Sequence, residues 1–267
     1  MLRDTDPDPG RQRASSVRDV SEDSRPLASD DRASSDWWHV IDLPDGSVTT
    51  GGWDLRETAR AIPWPDLQRK CCLDVGTADG FWAFEMERRG AAEVVATDVP
   101  SPFQARARTR FEHARERLGS GVRYEERDVF QLDGEFDVVF AGYVLQMVRD
   151  PIGALGAMRR VCRGHLLLLD TVSWPLALVP APVARLDARR DGSEWFIFNR
   201  RGLRKAVELA GWTVEEQTRT LRDRAGPLPV AQEASRSLKY RLGGRGRSCA
   251  LRAAPTGSAM RLFGASG

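Results

Sequence analysis

From about residue 70 onward, short apolar runs alternate with longer stretches whose apolar positions recur at helical spacing. The runs lie at residues 71–75, 93–98, 122–124, 136–140 and 165–170, and each predicts a strand. The stretches at 81–89, 103–118 and 152–161 predict helices between them. Short, continuously apolar strands separated by helices are the mark of a parallel sheet covered on both faces. The expected fold is therefore α/β, a doubly wound and mainly parallel sheet. A helix over 202–210, closed by Gly211, and strands at 212–215 and 248–251 bring the expected count to seven strands.

The pattern fails at both ends. Residues 1–35 hold almost no large apolar side chains and predict a disordered tail. Order is expected from Trp37-Trp38-His39-Val40-Ile41-Asp42-Leu43, with a turn at Pro44-Asp45-Gly46. Residues 36–69 then form a cover segment, 70–254 the ligand-binding domain and 255–267 a C-terminal tail. Within the domain, the apolar stretch 174–183 is broken by Pro175, Pro180 and Pro182, so a cover or lid is expected there and not a helix.

Composition narrows the class. The net charge is +2, too small for a whole-molecule field toward nucleic acid or membrane. No apolar run approaches the roughly 20 residues that span a bilayer, and residues 1–36 lack the apolar core of a secretory signal, so the expected compartment is the cytoplasm. The four cysteines are scattered without a CxxC pair, which argues against a disulfide framework and against a metal site. From Arg236 onward the chain carries several arginines and no acid, readable as an RNA-binding arm or as a solvated tail.

The chemistry concentrates at strand ends. An open parallel sheet binds ligands beyond the carboxyl ends of its strands, and Leu73-Asp74-Val75-Gly76-Thr77-Ala78-Asp79-Gly80-Phe81 sits at the first of them. Gly76 and Gly80 permit a sharp turn and close backbone approach. A carboxylate in this turn, Asp74 or Asp79, suits a cationic ammonium. A dinucleotide pyrophosphate would need bare N–H groups instead, so the turn favours the aminocarboxypropyl arm of S-adenosylmethionine (SAM). Asp98 ends the second strand, where an acid in this fold receives ribose hydroxyls, although it also suits a helix N-cap. After the third strand, Asp128 is placed to accept from an adenine amino group, with Val129 and Phe130 against the ring. Thr77, Val99 and Gly142 complete the expected cofactor pocket. The fourth strand leads into Ala141-Gly142-Tyr143-Val144-Leu145-Gln146-Met147, where Tyr143 and Gln146 are candidates to touch substrate. The Asn-Pro-Pro-Tyr loop of base-amino methyltransferases is absent there.

This combination resembles the class I SAM-dependent methyltransferases. More narrowly, it is similar to the bacterial family that includes the tRNA wobble-uridine carboxymethyltransferases. The resemblance runs from about Trp37 to Arg252. It rests on the stretch from Trp38 to Gly46, on Asp74-Val75-Gly76-Thr77-Ala78-Asp79-Gly80-Phe81-Trp82 with Asp98, and on Trp195-Phe196-Ile197-Phe198-Asn199. It departs from the tRNA enzymes where they carry a Tyr-His pair, here Gln146-Met147, and where an Arg precedes their Phe-Ile-Pro-Ser segment, here Gly192-Ser193-Glu194-Trp195. Their Lys-Gly-Pro-Phe stretch is also missing. The groups that would hold the extra carboxylate of carboxy-SAM are thus lost, and ordinary SAM is implied.

Three functions stay open from the sequence. The first is methyl transfer to an O or N atom of a small molecule, which the cover of Trp37, Trp38, Trp53, Trp174 and Trp195 suits. The others are a tRNA-modifying enzyme and a SAM-binding protein with a chemistry other than methyl transfer. In-line displacement needs positioning first and a base only where the nucleophile carries a proton to be removed. His39 is the candidate base, an imidazole being suited to a hydroxyl or phenol near neutrality, and anchoring of the N-terminal segment is its other reading.

Overall fold

In a computed structural model the described residues are 37–99, 102–186, 194–222, 224–225 and 247–256. The tail expected at 1–35, nearly all of that expected at 255–267, and most of the stretch after Arg236 lie outside them. Eight strands make the main sheet: β1 (Cys71–Val75), β2 (Glu93–Asp98), β3 (Arg123–Glu126), β4 (Phe136–Gly142), β5 (Cys162–Thr171), β6 (Trp212–Gln217), β7 (Leu221–Arg222) and β8 (Arg247–Pro255). Their order is β3-β2-β1-β4-β5-β8, and β6 and β7 both pair with β8. The first five strands are parallel, while β8 runs antiparallel to β5 and to both later strands. The extra strand, β7, is a two-residue pairing with no apolar run to announce it.

Alternation along the strands builds two cores. Leu73, Val75, Val139, Ala141, Leu166 and Leu168 face one side, and Cys72, Val138, Phe140, Leu167 and Leu169 face the other. The first side is covered by α4 (Pro151–Val161) and α5 (Arg200–Leu209). The second is covered by α2 (Phe81–Arg88), α3 (Pro102–Leu118) and the N-terminal segment with α1 (Arg56–Ala61). A sheet buried on both faces needs apolar residues at consecutive positions, which is why Leu166, Leu167, Leu168 and Leu169 are all fully buried.

Local chemistry sets the boundaries. Asp150 accepts from Gly153 N at 2.8 Å and Pro151 opens α4 behind it. Asn199 accepts from Gly202 N at 2.7 Å, so α5 starts at Arg200, two residues before the sequence pattern places it. No loop separates α4 from β5, so that strand begins at Cys162 and not at His165. The proline-broken stretch holds a single 3-10 turn, Pro175–Leu178, and then a strand, Ala184–Leu186, paired with Phe196–Phe198. No helix among the described residues is long and apolar enough to cross a membrane.

Candidate active site

The turn after β1 is built under strain. Gly76 and Gly80 have φ of +75° and +94°, and Ala78 between them lies at +50°, a left-handed conformation that a Cβ disfavours. A Cβ on Gly80 would run into the ring of Phe84 and stand 2.6 Å from Phe111. The turn is pinned from the neighbouring strand: Gly76 N and Thr77 N both donate to Thr97 O, at 2.9 and 3.0 Å. Ala78 N donates to Asp98 Oδ2 at 2.8 Å, and Val99 N to Asp98 Oδ1 at 2.8 Å. Each Asp98 oxygen thus keeps a lone pair for a ligand. Burial raises the Asp98 carboxyl above its ordinary range, and these two backbone donors oppose the shift.

Asp74 is the acid of this turn whose burial raises its carboxyl. It points to the α2 side of the sheet, next to Phe140 on β4, and only 1% of its surface is exposed. Burial pushes its carboxyl up to about 7, and the negative charge of Asp98 adds to the shift. The Thr77 side chain hydrogen-bonds the carboxylate and works the other way, as do His39 and the Ala83 N–H at the start of α2. Its Oδ2 is buried with no hydrogen-bond partner, as is Trp82 Nε1. Buried polar atoms are almost always paired, so the Asp74 acceptor is open to a ligand donor.

Asp79, expected on the cofactor, turns out to be committed elsewhere. Its Oδ2 accepts from Trp38 N at 2.9 Å and His39 N at 3.0 Å, and its Oδ1 meets His39 Nδ1. The αL turns on either side aim this side chain at the N-terminal segment, which is thereby latched over the cofactor turn. His39 accordingly sits at the site, its ring 5.7 Å from that of Phe81.

The end of β4 supplies the opposite wall. Tyr143 adopts φ +61° directly after Gly142, a second non-glycine residue held left-handed at this rim. Trp82 packs on Phe140 at 4.7 Å, and a Cβ on Gly142 would lie 2.9 Å from Trp82 Nε1. Gln146 lies in a 3-10 turn, Leu145–Met147, with its backbone carbonyl taken by Trp195 N at 2.7 Å and its buried Oε1 without a partner. Asp170, at the end of β5, holds this turn by accepting from Leu145 N at 2.8 Å. Burial pushes its carboxyl up to about 7.

Other expected residues fall at the rim or away from it. Asp128 caps the short turn Val129–Gln131 by accepting from Phe130 N at 2.8 Å; Val129 is buried, while Phe130 is 45% exposed. Val99 is exposed beside Asp98. Among the tryptophans, Trp37 is buried in the α2-side core, Trp174 is half exposed near Arg247, and Trp195 carries Arg149 over its ring. His113 packs edge-on against Trp37, and His165 faces Glu215 at 3.5 Å. No group of three metal-ligating side chains occurs among the described residues. The sequence pattern passed over Asp170 and Trp82. An acid closing a run of four leucines was a usable signal for Asp170, whereas an aromatic residue at a helix start reads as core.

Similar folds among solved structures share this layout. A SAM-dependent methyltransferase of Mesorhizobium loti is 17% identical, with a TM-score of 0.51, covering 75% of this chain and 97% of its own. The 4+2 cyclase SpnF is 20% identical with a TM-score of 0.57, covering 76% and 81%. The YcgJ protein of Bacillus subtilis is 13% identical with a TM-score of 0.52, covering 76% and 98%. At such identities the likeness concerns the fold alone. No curated protein matches the sequence. The model of the methyltransferase domain matches residues 54–217, more than half of the chain and every strand end from Asp74 to Asp170. The chain belongs to the methyltransferase-domain family.

Proposed function

We propose that the chain is a SAM-dependent methyltransferase that moves a methyl group to an O or N atom of a small molecule. The observation that carries this reading is the buried, unpartnered Asp74 Oδ2 beneath the left-handed turn after β1. It is complementary to the ammonium of the cofactor's amino-acid end, with Thr77 Oγ1 beside it as a further hydrogen-bonding group. Asp98, one strand over, keeps acceptor capacity for ribose hydroxyls, and Asp128 with Val129 lies one strand farther out for the adenine. Gly76, Gly80 and Gly142 keep backbone close to the ligand. When bound, SAM supplies a methyl group on a cationic sulfur: the acceptor's lone pair forms the new bond as the carbon–sulfur bond breaks, and that electron pair stays on sulfur. His39, Tyr143 and Gln146 are the residues proposed to meet the acceptor.

Calorimetric titration with S-adenosylhomocysteine tests the pocket. Wild type is expected to bind it, and Asp98→Ala to lose about tenfold or more, the worth of one or two hydrogen bonds to a carboxylate. Asp98→Asn, which keeps an acceptor for Ala78 N, separates damage to the turn from loss of ribose contact. An unchanged affinity in Asp98→Ala, or no binding by wild type, removes the proposed pocket.

A further inference from the structure

His39 is fixed from every side. Its backbone N–H and that of Trp38 share Asp79 Oδ2, and its carbonyl accepts from Thr49 Oγ1 at 2.7 Å. Gly51 passes so closely behind it that any Cβ there would overlap the His39 carbonyl. The ring is held by Asp79 Oδ1 through Nδ1, and only 12% of the side chain is exposed. Nothing among the described residues hydrogen-bonds to Nε2. Asp79 is wholly buried and its Oδ2 accepts two backbone N–H groups; as a carboxylate it has no proton for Nδ1, and its Oδ1 can only accept there. In a neutral imidazole the ring proton therefore sits on Nδ1, and Nε2 carries a bare lone pair.

His39 is bonded to Asp79 of the cofactor turn, so the ring stands there, with Phe81 flanking it and Tyr143 and Trp82 packed in the same α2-side layer. An amine attacks with its own lone pair and sheds its proton afterwards, whereas a hydroxyl must surrender its proton as the bond forms. Resting on the methyl-transfer reading above, we propose that His39 Nε2 is the general base, that Asp79 is the positioning residue fixing its tautomer, and that the acceptor is a phenol, the hydroxyl whose acidity an imidazole can match. The hydroxyl proton passes to Nε2 while the oxygen lone pair takes the methyl group. The imidazolium is balanced by Asp79 and returns its proton to solvent after the product leaves.

The tautomer can be read without any acceptor, by long-range proton–nitrogen NMR of the full chain labelled at histidine and loaded with S-adenosylhomocysteine. There are only three histidines, and His39→Gln assigns the signal. Wild type is expected in the Nδ1–H form. Asp79→Asn keeps an acceptor for the two backbone N–H groups but offers Nδ1 a donor, so it is expected to convert His39 to the Nε2–H form. An Nε2–H form in wild type overturns the dyad, and so does a tautomer indifferent to Asp79→Asn. Failure of wild type to bind S-adenosylhomocysteine would instead remove the methyl-transfer reading beneath it.

Labelled SAM with a series of phenols, from 4-methylphenol to 4-nitrophenol, and the matching anilines tests the acceptor. His39→Gln is expected to slow transfer to 4-methylphenol by about a hundredfold or more, and to 4-nitrophenol, already largely ionised, by far less. Equal losses across the series, transfer to anilines alone, or no transfer to any phenol overturns the proposal.

Discussion

At the scale of single residues, the site is costly to the empty protein. An unfolded Asp74 would ionise near 3.8, but burial lifts the folded carboxyl to about 7. Between those values the unfolded chain has released a proton that the folded chain retains, so stability falls as pH rises through the window and stays lower above it. Asp74→Asn is therefore expected to melt higher than wild type at about pH 8, with the advantage gone at about pH 4, in thermal scans without ligand. The same substitution removes the partner of the ammonium. Wild-type affinity for S-adenosylhomocysteine should rise between about pH 6 and 8 as Asp74 ionises, and that rise should vanish in the variant. An Asp74→Asn protein no more stable than wild type at the higher pH would show that the carboxyl is better solvated than its burial implies.

At the scale of elements, the strand-turn-helix from β1 into α2 carries most of the geometry. Gly80→Ala must place a Cβ in a left-handed residue and against Phe84 and Phe111, two rings stacked at 5.1 Å. Its expected cost is about 1–3 kcal/mol in denaturant unfolding. Across the sheet, Trp212 joins β6 to α4 through its Nε1 bond to Leu155 O at 3.2 Å and is fully buried; Trp212→Ala should cost about 3–5 kcal/mol. Elements of this kind were legible in the sequence. The runs at 71–75 and 93–98 became β1 and β2 without change, because a strand buried on both faces leaves an unbroken apolar signature. The two-residue pairings, Trp53–Asp54 with Arg224–Ala225 and Leu221–Arg222 with β8, left none, since each depends on a partner distant in the chain. Within the site the acids at strand ends could be placed by position alone. The direction of Asp79 could not, because it follows from left-handed turns on both sides of it, and Ala78 gives no sign of its conformation in sequence.

At the scale of the whole molecule, charge bears on the choice of acceptor. With a net charge of +2, the chain offers little general attraction for a polyanion. Bulk tRNA titrated at about 50 and 200 mM salt is expected to bind no tighter than about 1 μM, as non-specific contacts do. Tighter, saturable binding with a steep salt slope would revive the RNA reading and assign the arginines after Arg236 to it. The two sides of the sheet also divide the labour. The α2 side carries His39, Asp74, Trp82 and Tyr143, while the α4 side is an apolar core of Leu155, Met158, Leu203 and Trp212. Substitutions at Leu155, Met158, Leu203 or Trp212 should therefore lower melting temperature with little effect on the affinity of the remaining folded protein.

The place of β8 matters before the molecule is complete. It lies between β5 and the β6–β7 pair in space, yet follows all three in the chain. A ribosome adding about 5–20 residues per second needs roughly 4–15 s to travel from Thr171 to Arg247. For that interval β5 presents an open edge of unpaired amides along a leucine-rich strand, the template on which neighbouring chains associate. Nascent protein should therefore lean on chaperones until β8 emerges and caps that edge, and rare codons placed between the two strands should lower the soluble yield without altering any property of the finished enzyme.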